Sequence, residues 1–205
     1  MRREHKTSRG AERIPWHPAF FDAIRLELEP YRDVLEFDFE YQLTEEPLKM
    51  DVLVIKKAKD AVIKKNIAVL FRENNIIEYK SPDDYTSVED FYKVYGYACF
   101  YAALNKKDIT SLTISFVGER RPRELLRHLK EARGYDAAEV HSGIYYVKGD
   151  IIPIQIIETK KLSAGNNLWL KGLSNDLDIS QANTIIKESG RKAKGAYIRA
   201  YLNAV

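Results

Sequence analysis

Residues 76–91 read IIEYKSPDDYTSVEDF, and the way this stretch divides decides the fold. Ile76 and Ile77 open an apolar strand, and Ser81-Pro82-Asp83-Asp84 carries turn chemistry. Thr86, with Glu89 three residues on, has the pattern of a capping box that starts a helix near Ser87. Strand, turn and helix in quick succession mark an α/β unit. Glu78 and Lys80 stand two apart and so share one face at the strand's end. A core strand gains nothing from two charges on one side. Either that face is solvated or the two charges act together.

Upstream, Pro18 opens a predicted helix that runs to about Glu29, with Phe20, Ile24 and Leu28 at four-residue spacing, and Pro30 stops it. LEFDFEYQL (35–43) alternates apolar and polar as a half-buried strand does, and MDVLVIKK from Met50 reads as a second, more buried one. In KDAVIKKNIAVLFRENN (59–75) a short helix competes with a strand at IAVLF. Downstream of Ser87, the helix should bury Phe91, Tyr95, Ala98 or Cys99, and Ala102. SLTISFVG is then a strand and PRELLRHLKEA a helix. GIYYVKGDIIPIQIIETK reads as two strands joined at Lys148-Gly149-Asp150, and 175–205 reads as helical with a break near Gly190.

The order helix, three strands, helix, strand predicts an α/β sandwich with a mixed central sheet flanked by helices. We assign residues 1–14 to a flexible tail and 15–118 to the core. Residues 119–205 are a C-terminal extension of the same domain, with a helix, two strands and a terminal helix.

If the strand from Met50 pairs antiparallel with 76–80, Asp51 lies beside the end of the next strand. In a suitable register Asp51, Glu78 and Lys80 then cluster at one end of the sheet. Two carboxylates suit a hard cation such as Mg²⁺ or Mn²⁺. A neighbouring lysine orients or deprotonates water and stabilises charge on a phosphate.

Asp51 followed by Glu78-Tyr79-Lys80 and a helix resembles the PD-(D/E)XK nuclease superfamily, and IIEYKSPDD within it looks like a group of uncharacterised bacterial members. The likeness covers roughly residues 17–118. It implies a restriction-endonuclease-like core and metal-dependent phosphodiester hydrolysis, with DNA favoured as substrate. Asp51, Glu78 and the backbone carbonyl of Tyr79 would be metal ligands, with Glu27 of the first helix completing the set (Glu29 the spare). Lys80 would position the attacking water. Met50 stands where the family has proline, and Pro82-Asp83 follows the Glu-x-Lys instead of preceding it, so it is assigned to the turn. Lys93 and Tyr97 have the spacing of a family motif with Lys replacing Gln. They are either phosphate contacts or ordinary helix surface and packing. The alternative function is an inactive member of the fold that binds nucleic acid or protein.

Glu158-Thr159-Lys160 ends a later strand in the same way. Asp150, the nearest upstream acid, begins that strand, roughly 26 Å from Glu158 at about 3.3 Å per residue. The second triplet is therefore expected to be a solvated strand end.

The 33 basic and 30 acidic side chains leave a net charge of only +3, too small to argue for a nucleic-acid partner. Local clustering says more. Arg121, Arg123 and Arg127 in 119–133 are candidate phosphate contacts, against the plainer alternative of a solvated helix face. One cysteine, Cys99, excludes an intramolecular disulfide and fits a reducing, cytoplasmic setting, and it is expected to pack in the core. No apolar run reaches the roughly 18–20 residues of a membrane span. The four histidines have no metal-ligand spacing, and no glycine-rich phosphate loop suggests a nucleotide cofactor. A homo-oligomer is compatible with the sequence.

Overall fold

The computed structural model describes residues 16–38, 52–192 and 199–205. Helix α1 (Trp16–Glu27) is followed by strands β1 (Leu35–Asp38), β2 (Val52–Lys57) and β3 (Asn74–Tyr79). Helix α2 (Val88–Leu104) leads to β4 (Leu112–Gly118), and α3 (Arg123–Arg133) to β5 (Asp136–His141), β6 (Ile144–Lys148) and β7 (Ile154–Glu158). Helices α4 (Leu168–Lys171), α5 (Ile179–Lys192) and α6 (Arg199–Ala204) follow. The strands form one mixed sheet in the order β1-β2-β3-β4-β7-β6-β5. β3, β4 and β7 are parallel neighbours, and every other neighbouring pair is antiparallel. The sequence-read order of helix, three strands, helix and strand is the observed order of residues 16–118.

Strand alternation divides the core. Leu53, Ile55, Ile77, Val117 and Ile157 point to one face, where Phe20, Ile24, Trp169 and Tyr201 cover them. Val54, Ile76, Ile114, Phe116 and Ile156 point to the other, under Phe91, Tyr97 and Tyr101 of α2 and Leu125 and Leu129 of α3. Glu78 and Lys80 belong to the α2 face by the same alternation.

Several expectations are corrected. α1 begins two residues before Pro18, which the first turn tolerates because its N–H groups have no helical acceptor. The capping box is Ser87 with Asp90, one residue along from the predicted pair: Ser87 Oγ accepts from the Asp90 N–H at 3.0 Å, and Asp90 Oδ2 from the Ser87 N–H at 3.0 Å. Residues 58–73 form neither helix nor strand beyond a short 3₁₀ turn at Asn66–Ala68. Side chains from the sheet hold this segment instead. Asn75 bonds both the N–H and the C=O of Arg72, and Gln155 Nε2 donates to the Ile67 carbonyl at 2.8 Å. The extension has three strands where two were predicted. β5 was missed because, as an edge strand with almost no buried residue, it has no apolar alternation. Cys99 is exposed, since α2 turns Val94, Tyr97, Ala98 and Tyr101 inward and Cys99 with Phe100 outward. No helix among the described residues is long and apolar enough to cross a membrane.

Candidate functional site

The carboxyl ends of β3, β4 and β7 lie side by side, and the charged residues gather there. Glu78 is buried, the last residue but one of a strand buried along its length. Lys80, the residue after β3, still donates its N–H to the Val117 carbonyl at 2.9 Å. The two side chains meet as the alternation required, with Lys80 Nζ 3.6 Å from Glu78 Oε1.

Two further carboxylates share the ammonium. Asp90 Oδ1 lies at 2.9 Å and Asp84 Oδ2 at 3.7 Å. Asp84 arrives through the turn that joins its N–H to the Ser81 carbonyl at 2.9 Å. Asp90 arrives because capping fixes the first turn of α2 over the strand end. Burial alone would lower the Lys80 pKa, but the bond and charge of Asp90, with Glu78 and Asp84, outweigh it and raise it. Burial would likewise raise Asp90, and its bonds from Ser87 and Lys80 prevail and lower it. Lys80 is therefore a fixed cation at neutral pH, suited to donating hydrogen bonds and stabilising negative charge and unsuited to taking a proton. The signal for Asp90 was present in the sequence: a cap starting at Ser87 instead of Thr86 puts Asp90 in its third position.

Asp51 and its place at the start of the strand lie outside the described residues. Its sequence neighbour Val52 pairs with Glu78 across β2 and β3. The Tyr79 ring points to the opposite face, stacked on Phe20 at 4.3 Å between centroids, so Tyr79 offers the Glu78 face only its backbone. Glu27 is already engaged. Its Oε1 accepts from the Trp169 and Leu170 N–H groups at 2.8 and 3.2 Å, capping α4, and its Oε2 pairs with Lys65 at 2.5 Å. Lys93 is exposed, whereas Tyr97 is 2% exposed and packs in the core beneath α2, so the pair does not present one polar face. Among the described residues no three Asp, Glu, His or Cys side chains group so as to hold a metal ion.

The second triplet departs from expectation. The Glu158 side chain is only 12% exposed, accepts from Tyr145 OH at 3.0 Å and pairs with Lys161 at 3.3 Å. After Glu158 the chain enters a 3₁₀ turn, Thr159–Lys161. The turn swings Lys160 outward to Asp176 at 3.0 Å and brings Lys161 in to Tyr145 OH at 3.0 Å. The register aligns Glu158 with Gly118, and a Cβ on Gly118 would lie 3.8 Å from the Lys80 Cβ. Glu158 and Lys80 thus stand at one level on strands separated only by β4, roughly 10 Å apart at about 4.8 Å per strand. Asp150, by contrast, serves α2 and α3, taking Tyr95 OH at 3.1 Å, the Tyr135 hydroxyl, and Arg133 at 3.5 Å.

A cleft of about 670 Å³ opens at the Glu158 end of this row, lined also by Tyr85 and Thr86. Arg121 and Arg123 line it, with Arg120 and Lys161, while Arg127 lies farther along α3 and outside it. The Arg121 guanidinium sits over the Tyr145 ring at 4.6 Å. No family model, curated protein or solved structure matches this chain.

Proposed function

We propose that the chain is a metal-dependent phosphodiesterase of the PD-(D/E)XK type that hydrolyses nucleic acid, DNA in the first place, on a restriction-endonuclease-like core. The observation that carries this reading is the meeting of Glu78 and Lys80 on one face at the end of β3. It occurs within the order helix, antiparallel β1-β2-β3, helix, parallel β4. The basic cleft that Glu158 lines, two strands over from Lys80, adds support.

Glu78 and Asp51 are hard oxygen donors of the kind Mg²⁺ or Mn²⁺ takes, with the Tyr79 carbonyl as a third. Such an ion supplies Lewis-acid charge and an acidified water. The proposed site needs the Asp51 carboxylate on the Glu78 face, although Val52 holds the position opposite Glu78. Glu27 is left out because capping α4 and pairing with Lys65 occupy its oxygens. Lys80 orients water through its N–H donors and offsets charge building on the phosphate. Held protonated by Asp90, it is not the base.

The test is nicking of supercoiled plasmid with Mg²⁺ or Mn²⁺. Cleavage should stop with a chelator and fall at least about a hundredfold in Lys80→Ala, Glu78→Gln and Asp51→Asn. Metal-independent cleavage, or cleavage that survives Lys80→Ala, would sink the assignment.

The Lys80–Asp90 pair also favours a second reading, in which Lys80 is a structural ion pair and the fold is an inactive binding module. That protein would cleave nothing with either metal and would keep its affinity for nucleic acid in Lys80→Ala.

A further inference from the structure

The cleft at the carboxyl ends of β4 and β7 has more in it than a phosphate track. Four cations line it, Arg120, Arg121, Arg123 and Lys161, against two carboxylates, Glu124 and Glu158. Two of these cations are paired within the fold, Lys161 with Glu158 at 3.3 Å and Arg120 with Glu119 at 3.5 Å. Arg121 and Arg123 then share the cleft with Glu124, in the first turn of α3. The balance favours an anionic ligand.

One wall of the cleft is Tyr85, a large aromatic 67% exposed. It directly follows Asp84, whose carboxylate contacts Lys80, and its backbone is fixed by a bond from its N–H to Asp84 Oδ1 at 2.8 Å. A ring so exposed contributes little to folding. Lining the cleft together with these cations, and one residue after a carboxylate that contacts Lys80, it offers a flat face to a base.

We propose that this cleft binds a single-stranded nucleic-acid segment, with Arg121, Arg123 and Lys161 against its phosphates and a base stacked on Tyr85. The single strand is specified by the chemistry. A duplex keeps its base faces stacked on one another and closed to Tyr85, whereas every base of a single strand presents a π face. The cavity also falls in the roughly 300–1,000 Å³ range of small-ligand clefts, which suits a splayed nucleotide better than a rod. Arg121, held over Tyr145, is positioned in advance. The proposal rests on the nuclease reading for why a strand should pass Lys80, and it adds the substrate class: single-stranded DNA or RNA, or the unpaired part of a larger substrate.

Fluorescence anisotropy with labelled oligonucleotides, in chelator so that nothing is cleaved, tests binding apart from catalysis. Single-stranded DNA, the same sequence as duplex, and single-stranded RNA are compared. At least one single strand should bind more tightly than the duplex, and the two single-stranded arms show which sugar is preferred. Tyr85→Ala should weaken single-strand binding about fivefold or more and leave duplex binding unchanged, with Tyr85→Phe restoring it. Arg121→Ala with Arg123→Ala should flatten the salt dependence by roughly one and a half in log–log slope. Duplex bound as tightly as the single strands, or full affinity in Tyr85→Ala, would overturn the proposal. Metal-dependent nicking that persists beside either result would leave the nuclease assignment standing; loss of nicking with single-strand binding intact would remove the nuclease and keep the cleft.

Discussion

Lys80 shows how far a single residue is legible. That it shares a face with Glu78 follows from the period of a strand, and nothing else in the chain was needed. That Asp90 lies 2.9 Å from it depends on where α2 is capped, and one residue of error in the cap hid the contact. The pair has a pH signature. Asp90 is depressed below its ordinary 3.8, so its contribution to stability is complete above that value and is lost as pH falls through the lower, folded one. Lys80 is raised above 10.5, so its side is complete below that value and is lost only as pH rises through the folded one. Asp90→Asn should therefore cost about 1–3 kcal/mol at neutral pH. The cost should stay level across the neutral range and shrink as pH falls below about 3.8. Urea unfolding of both proteins at several pH values measures it. A difference that grows on acidification would show that the pair is not what Asp90 contributes.

At the scale of elements, the sequence hides what side chains do for distant backbone. Glu27 sits on the first helix, where the family resemblance implies a metal ligand, yet it caps α4, more than a hundred residues away in the chain. No local pattern records such a partner. Glu27→Ala would leave Lys65 without its carboxylate and two α4 N–H groups without an acceptor, and should cost about 3–5 kcal/mol. Glu27→Gln keeps an acceptor for α4 and should cost less. Neither change should alter Mn²⁺ affinity measured by calorimetry at a temperature where the variant is folded. Lost affinity in Glu27→Gln would return Glu27 to the metal site. Asn75 is a second such case. It joins Thr113 at 2.6 Å and bonds Arg72 and the Ile55 carbonyl, so it substitutes for a ladder in an irregular segment. Asn75→Ala, which orphans several buried groups, should cost about 2 kcal/mol or more by chemical denaturation.

For the whole molecule, the first half was legible because its strands are neighbours in both chain and space. The place of β7 was not: it joins β4 only after the chain has made α3 and the β5–β6 hairpin, and its residues carry no mark of their neighbour. That non-local pairing brings the second triplet level with the first and creates the cleft. It also decides whether residues 1–118 can stand alone. Without β7 the edge of β4, buried along almost its whole length, would meet water with unpaired backbone groups. α1 would lose Trp169 and Tyr201, which pack on each other at 5.5 Å and close the opposite core. A fragment ending at Gly118 should therefore lack a cooperative thermal transition by circular dichroism, while the full chain unfolds in one step. In the full chain Ile156→Ala and Tyr201→Ala, on opposite faces of the sheet, should each lower that same transition, because β7 ties both cores to one sheet. A fragment that folds by itself, or two transitions shifted separately by the two substitutions, would mean that the halves are independent units and that the cleft between β4 and β7 is an interface instead of part of one core.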